Sequence, residues 1–113
     1  MEKKEKKILP CDDNCPVKAS LGLLAGKWTM MIIFQIGNDV MRYGELKRAI
    51  PSISEKMLIQ ELNMLVENKL VNKKAYPEIP PRVEYRLTEL GLKTIPIIDK
   101  LVEFGKENLI KLS

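Results

Sequence analysis

The hydrophobic period of this chain changes twice, and that change restricts its fold more than any other feature. From Pro16 to about Asn68 apolar residues recur at helical spacing, from Val71 to Leu87 they alternate, and beyond Thr88 the helical period returns. Val17, Leu21 and Leu24 mark a first helix, with Pro16 suited to its first turn and Gly26 interrupting it. From about Lys27 to Ile36 the chain is apolar over most of a helix circumference, through Trp28, Met31, Ile32 and Ile33, as a buried central helix is. Gly37-Asn38-Asp39 stops it, and Val40–Tyr43, too short for a helix, reads as one short strand.

Leu46, Ala49 and Ile50 predict a two-turn helix from Tyr43 that Pro51 ends. Ser54 is an N-cap with Glu55 in the first turn, and Leu58, Leu62, Leu65 and Val66 give the next helix, to about Asn68, its apolar face. Lys56, Gln60, Asn63 and Glu67 fall on the opposite face. Val71–Tyr76 and Arg82–Leu87 alternate as strands do, joined by the stiff Pro77–Pro81 loop. Thr88 caps a last helix reaching about Lys111, which Gly91 and Pro96 are expected to bend or split.

The fold class that follows is mainly α with a small β-hairpin. Residues 1–14 read as a flexible tail and residues 15–113 as one domain. Two helices joined across Arg48–Ser54 and followed by a hairpin make a winged helix-turn-helix, with Glu55–Asn68 as recognition helix and the hairpin as wing.

Charge follows the same division. The 113 residues carry a net +4, yet residues 1–15 and 87–113 are each neutral, with four bases and four acids apiece. The excess lies within residues 16–86, where an acidic 57–68 is flanked by segments of +3 on either side. A basic middle suits phosphate, although net charge alone describes a solubilising surface equally well. The chain has no His, no glycine-rich phosphate loop and two cysteines, Cys11 and Cys15, too few for a structural zinc site. Neither a metal, a cofactor nor an enzyme is expected, and a thiol-dependent enzyme would lack a histidine base. No apolar run reaches the ~20 residues of a membrane span, so a cytoplasmic protein without a membrane partner is expected.

Six segments resemble, in order, the signatures of HxlR-type regulators within the MarR-like superfamily. They are Cys15-Pro16-Val17, Ala25-Gly26-Lys27-Trp28, Tyr43-Gly44-Glu45-Leu46, Ile53-Ser54-Glu55-Lys56-Met57-Leu58, Pro80-Pro81-Arg82-Val83-Glu84-Tyr85 and Leu87-Thr88-Glu89-Leu90-Gly91. The resemblance covers about residues 15–105 and implies a winged helix that binds double-stranded DNA sequence-specifically as a homodimer, paired through its first and last helices. Three positions depart from it. Ala25 and Lys69 stand where glycine is usual, leaving Asn68 to supply a left-handed cap, and Phe104-Gly105 replaces a Trp-Gly pair.

On that frame Ser54, Lys56 and Gln60 are candidates to read bases, with Asn63 behind them; Gln60 suits adenine, and Lys56 guanine or phosphate. Lys73, Lys74 and Arg82 are wing candidates for phosphate or the minor groove. Arg86 is set lower because it can pair with Glu84. Lys27 and Tyr43, read as opening helices at the groove edge, are further phosphate candidates. Val17, Leu21 and Leu24, with Ile97, Ile98, Leu101 and Phe104 of an over-apolar last helix, form the expected dimer interface. Cys15 at a helix start, where the dipole favours a thiolate, is a candidate redox switch with Cys11 as resolving thiol. A packed, unreactive Cys15 fits the same position. The competing function is a winged-helix module that binds protein without reading DNA.

Overall fold

The computed structural model describes residues 14–110. Five helices and a three-stranded sheet follow one another as α1 (Pro16–Leu24), α2 (Thr29–Ile36), β1 (Met41–Arg42), α3 (Tyr43–Ala49), α4 (Glu55–Glu67), β2 (Val71–Tyr76), β3 (Arg82–Leu87) and α5 (Glu89–Asn108). This is the order that the change of period implies. The sheet is antiparallel with β3 in the middle, ordered β1-β3-β2.

Side chains from every layer meet in one core. Ile32, Ile33 and Ile36 of α2 are fully buried against Leu46 of α3, Leu58, Leu62 and Leu65 of α4, and Leu70 and Val71 at the start of the wing. Burying a side chain of this size contributes about 1.5–3 kcal/mol, so the three isoleucines of α2 anchor the domain from its centre. Trp28 packs on this cluster as a partly buried residue.

Four local expectations are corrected. Helix α2 opens at Thr29, not Lys27, because Gly26–Trp28 form the turn that sets Thr29 beneath α4. Thr29 Oγ1 donates to the buried Glu61 carboxylate at 3.3 Å, and a Cβ on Gly26 would overlap that hydroxyl. Helix α4 ends in a left-handed residue, but it is Lys69 (φ 65°) and not Asn68 (φ −82°). Lys69 N–H donates to Val66 O and Leu70 N–H to Leu65 O, the paired bonds of a Schellman end, with Leu65 and Leu70 both buried. That apolar clasp fixes the sixth residue as Leu70, so the residue before it takes the positive φ whatever its side chain.

Helix α5 runs unbroken through Pro96, neither Pro96 nor Gly91 splitting it. Thr88 caps it, its hydroxyl accepting from Gly91 N–H at 3.0 Å and donating to Lys69 O at 2.6 Å. Finally, Leu24 and Ile98, expected at a dimer interface, are buried in the protomer's own core, because the stripes of α1 and α5 turn partly inward. Among the described residues no single helix is long and apolar enough to cross a membrane; α1 and α2 together would be, but they are bent 73° apart.

Candidate nucleic-acid interface

The junction between α3 and α4 is held from inside by Ile50 and Ile53, both buried, with Ile53 N–H donating to Ile50 O at 3.2 Å. Lys47 Nζ donates to Pro51 O across the same turn. Ser54 then caps α4, its hydroxyl accepting from Met57 N–H at 3.1 Å. A serine so engaged keeps its own proton for a partner outside, and it stays exposed.

Leu58, Glu61, Leu62 and Leu65 take the inner face of α4. Lys56, Gln60 and Asn63 stand on the outer face, all exposed, as the sequence predicts. Residues three and four apart on a helix are neighbours, so the three share one patch that begins in the first turn.

Strand pairing sorts the wing. Asn72 faces Arg86, Lys74 faces Glu84 and Tyr76 faces Arg82 across β2 and β3, while β1 sets Arg42 beside Glu84. Side chains directly opposite lie on the same side of a sheet, so Lys74, Arg82, Arg86 and Arg42 share one face around Glu84. Arg42 escapes a reading by helix and strand period because its strand is two residues long; only the pairing with β3 locates it. Lys73 pairs with Tyr85 and belongs to the other face. A cavity of about 360 Å³ lies along the wing, lined by Asn72, Lys73, Lys74, Tyr76, Glu84 and Arg86.

Arg82 is more tightly held than expected. Its guanidinium stacks on the Tyr76 ring at 3.9 Å, its Nη2 pairs with Glu78 at 3.0 Å, and its Nε lies 3.7 Å from Glu84. Lys74 Nζ lies 5.0 Å from the same ring, so Tyr76 serves two cations. Among the described residues Glu84 pairs with Arg82 and not with Arg86.

Two expected phosphate ligands are placed otherwise. Lys27 sits in the turn before α2 with its ammonium 5.1 Å from the Trp28 ring. The Tyr43 hydroxyl opens α3 as expected but is shielded from solvent and has no hydrogen-bond partner. Burial raises its pKa above the usual tyrosine value, with the Glu55 charge adding to the effect. Tyr85 is raised by burial as well, then by Tyr43. The sequence signal that Tyr43 turns inward is slight, since an aromatic residue at a helix start serves either side.

Cys15 is buried as the N-cap residue of α1, its carbonyl accepting from Ala19 N–H at 2.9 Å. Cys11 and residues 1–13 lie outside the described residues. Val17, Leu21, Ile97, Leu101 and Phe104 are about half exposed, and Met31 and Phe34 of α2 join them at 44% each. Met30, Met31, Phe34, Ile98, Leu101 and Val102 line much of an apolar cavity of about 470 Å³ that reaches the α3–α4 turn. The α2 contribution is missed by sequence because six of the eight positions of that helix are apolar, which hides its outward side.

Comparison with known proteins agrees with this geometry. A model described as HxlR-like helix-turn-helix matches residues 23–112. An uncharacterised HTH-type transcriptional regulator of Methanothermobacter thermautotrophicus is 41% identical over 92 residues, 81% of this chain and 70% of that one. Among solved structures, a protein of Porphyromonas gingivalis W83 assigned to the MarR family of transcriptional regulators is 60% identical with a TM-score of 0.86, covering 92% of this chain and 100% of that one. The redox regulator HypR in its oxidised form is 34% identical with a TM-score of 0.80, covering 85% and 99%.

Proposed function

Because the chain belongs to the HxlR-like helix-turn-helix family of DNA-binding transcriptional regulators, we propose that it binds an inverted-repeat operator as a homodimer. The observation that carries this reading is the exposed Lys56, Gln60 and Asn63 patch on a capped helix, beside a wing whose outer face carries four cations. Ser54, Lys56 and Gln60 meet base edges in the major groove, with Gln60 on adenine. Lys74 and Arg82 take phosphates or the minor groove at the flank. Tyr43 holds the base of α3 from within and leaves the phosphate role to Arg42.

Val17, Leu21, Ile97, Leu101 and Phe104, together with Met31 and Phe34, are covered by a second copy. Two-fold pairing sets the recognition helices about 34 Å apart, one DNA turn. The protein then acts in the cytoplasm, where its DNA is.

Fluorescence anisotropy on a labelled duplex from the promoter upstream of its own gene tests this reading. Affinity is expected to fall steeply with salt, Arg82→Ala to lower the salt slope by about one, and Gln60→Ala to reduce preference for the promoter over random DNA. Absence of saturable binding at low salt would support the protein-interaction module instead.

Cys15 adds a redox reading, favoured by its place at the start of a dimer-facing helix and by the similarity to HypR. Hydrogen peroxide oxidises the thiol to a sulfenic acid with release of water. A second thiol, from Cys11 or from Cys15 of the partner subunit, then forms a disulfide and releases another water. Mass spectrometry with operator affinity measured alongside decides: full modification of Cys15 with unchanged affinity refutes the switch.

A further inference from the structure

Two apolar side chains of α4, Ile59 and Met64, are exposed and do not pack on the core, and Ile59 is the one nearer the start of the helix. Ile59 is 50% exposed, although every other isoleucine of α2 to α4 is buried. It is absent from the residues packed against the core, where Met57 and Val66 of the same helix appear. Nor does it line the apolar cavity between α2, the turn and α5, so the surface left for a second copy does not reach it. A β-branched residue on an exposed helix position is mildly unfavourable against Ala, Lys or Glu, so the isolated protomer gains nothing from it.

Its neighbours supply the role. Lys56, Ile59, Gln60 and Asn63 are related by steps of three and four residues and form one continuous surface beginning in the first turn. The one cation, Lys56, and the amides of that surface match acceptors and donors of base edges. A branched aliphatic group among them matches the one apolar feature of the major-groove edge, the 5-methyl group of thymine. We propose that Ile59 is a specificity residue that contacts a thymine methyl within one base pair of the base read by Gln60. The inference rests on the DNA-binding reading above and names a base that the polar residues alone do not select. Gln60 on adenine and Ile59 on a methyl within one base pair of it together demand one A·T pair or two adjacent ones in each half-site.

Replacing thymine by uracil removes the methyl and leaves the pairing edge intact, so it isolates this contact. The probe is a duplex enriched by the wild-type protein from a random-sequence pool, scanned with single thymine-to-uracil replacements made symmetrically in both half-sites. One buried methyl is worth about 0.8 kcal/mol, or about fourfold in affinity per half-site and about fifteenfold for the symmetric pair. Wild-type protein is expected to lose this factor at one thymine. Ile59→Ala is expected to show the loss already on thymine DNA and no further loss on uracil DNA, whereas Lys56→Ala weakens both duplexes equally. Ile59 is exposed, so Ile59→Ala should melt within about 2 °C of wild type.

If no replacement changes wild-type affinity, or if Ile59→Ala keeps the wild-type uracil profile, the Ile59 contact is refuted while DNA binding stands. Failure of the wild-type protein to enrich any duplex overturns both.

Discussion

Replacing Gly91 by Ala is expected to unfold this domain at a much lower temperature, against the ordinary rule for helices. In an exposed helix interior Gly→Ala gains about 1 kcal/mol. At Gly91 a Cβ would overlap the carbonyl oxygen of Leu70 and approach Leu87 Cβ to 3.2 Å. The oxygen belongs to backbone and must retreat by roughly 1 Å to reach van der Waals distance. It also accepts from Thr88 N–H at 3.0 Å, and the adjoining Lys69 carbonyl accepts from the Thr88 hydroxyl. Displacement weakens two hydrogen bonds of about 1 kcal/mol each and adds overpacking of about 1–3 kcal/mol. Net of the propensity gain, the loss is about 3 kcal/mol, or roughly 10–20 °C in Tm for a domain of this size. Circular dichroism melting at fixed protomer concentration measures it, with Gly44→Ala as control because a Cβ there meets only Arg48 Nη1 at 3.5 Å. A Gly91→Ala midpoint within 2 °C of wild type would show that α5 does not dock on Leu70 as described.

Three further outcomes are expected. Lys69→Gly should raise stability by about 1 kcal/mol in urea titration, because the left-handed backbone at φ 65° disfavours a Cβ; an unchanged midpoint refutes that strain. Tyr85 and Tyr43 have raised pKa values, so the folded state prefers their neutral forms. Their stabilising contribution is complete below pH 10, the unfolded value, and is lost as pH rises through the folded values. Urea midpoints should therefore fall above about pH 10, and Tyr85→Phe should flatten that fall; the same slope in both proteins refutes it. Glu78→Gln releases one partner of Arg82 and should tighten DNA binding about two- to fivefold at low salt, as anisotropy would show, whereas weaker binding would mean that Glu78 orients Arg82 for DNA.

The wing shows how far a linear pattern reaches. Alternation locates both strands to the residue, and with them the candidates Lys73, Lys74 and Arg82. It does not tell which faces turn together, because that depends on register across strands distant in sequence. Only pairing reveals that Lys73 parts from Lys74, that Arg42 joins the cationic face, and that Arg82 is clasped by Glu78 and Tyr76. On α4 the outward polar residues are legible because a helix repeats within a single turn or two. Ile59 is on that face too, but an aliphatic residue reads as core until exposure is known.

By itself the sequence determined the order of elements, the caps at Ser54 and Thr88, and the outward face of the recognition helix. These are local: each is decided by hydrogen bonds and side-chain spacing within a few residues. Tertiary structure alone decided that Leu24 and Ile98 serve the protomer's own core, that the Tyr43 hydroxyl is shielded, and that Lys69 accepts a left-handed turn. Each of these is settled by what an element packs against, and for Lys69 the burial of Leu70 against Leu65 outweighs a local preference of about 1 kcal/mol.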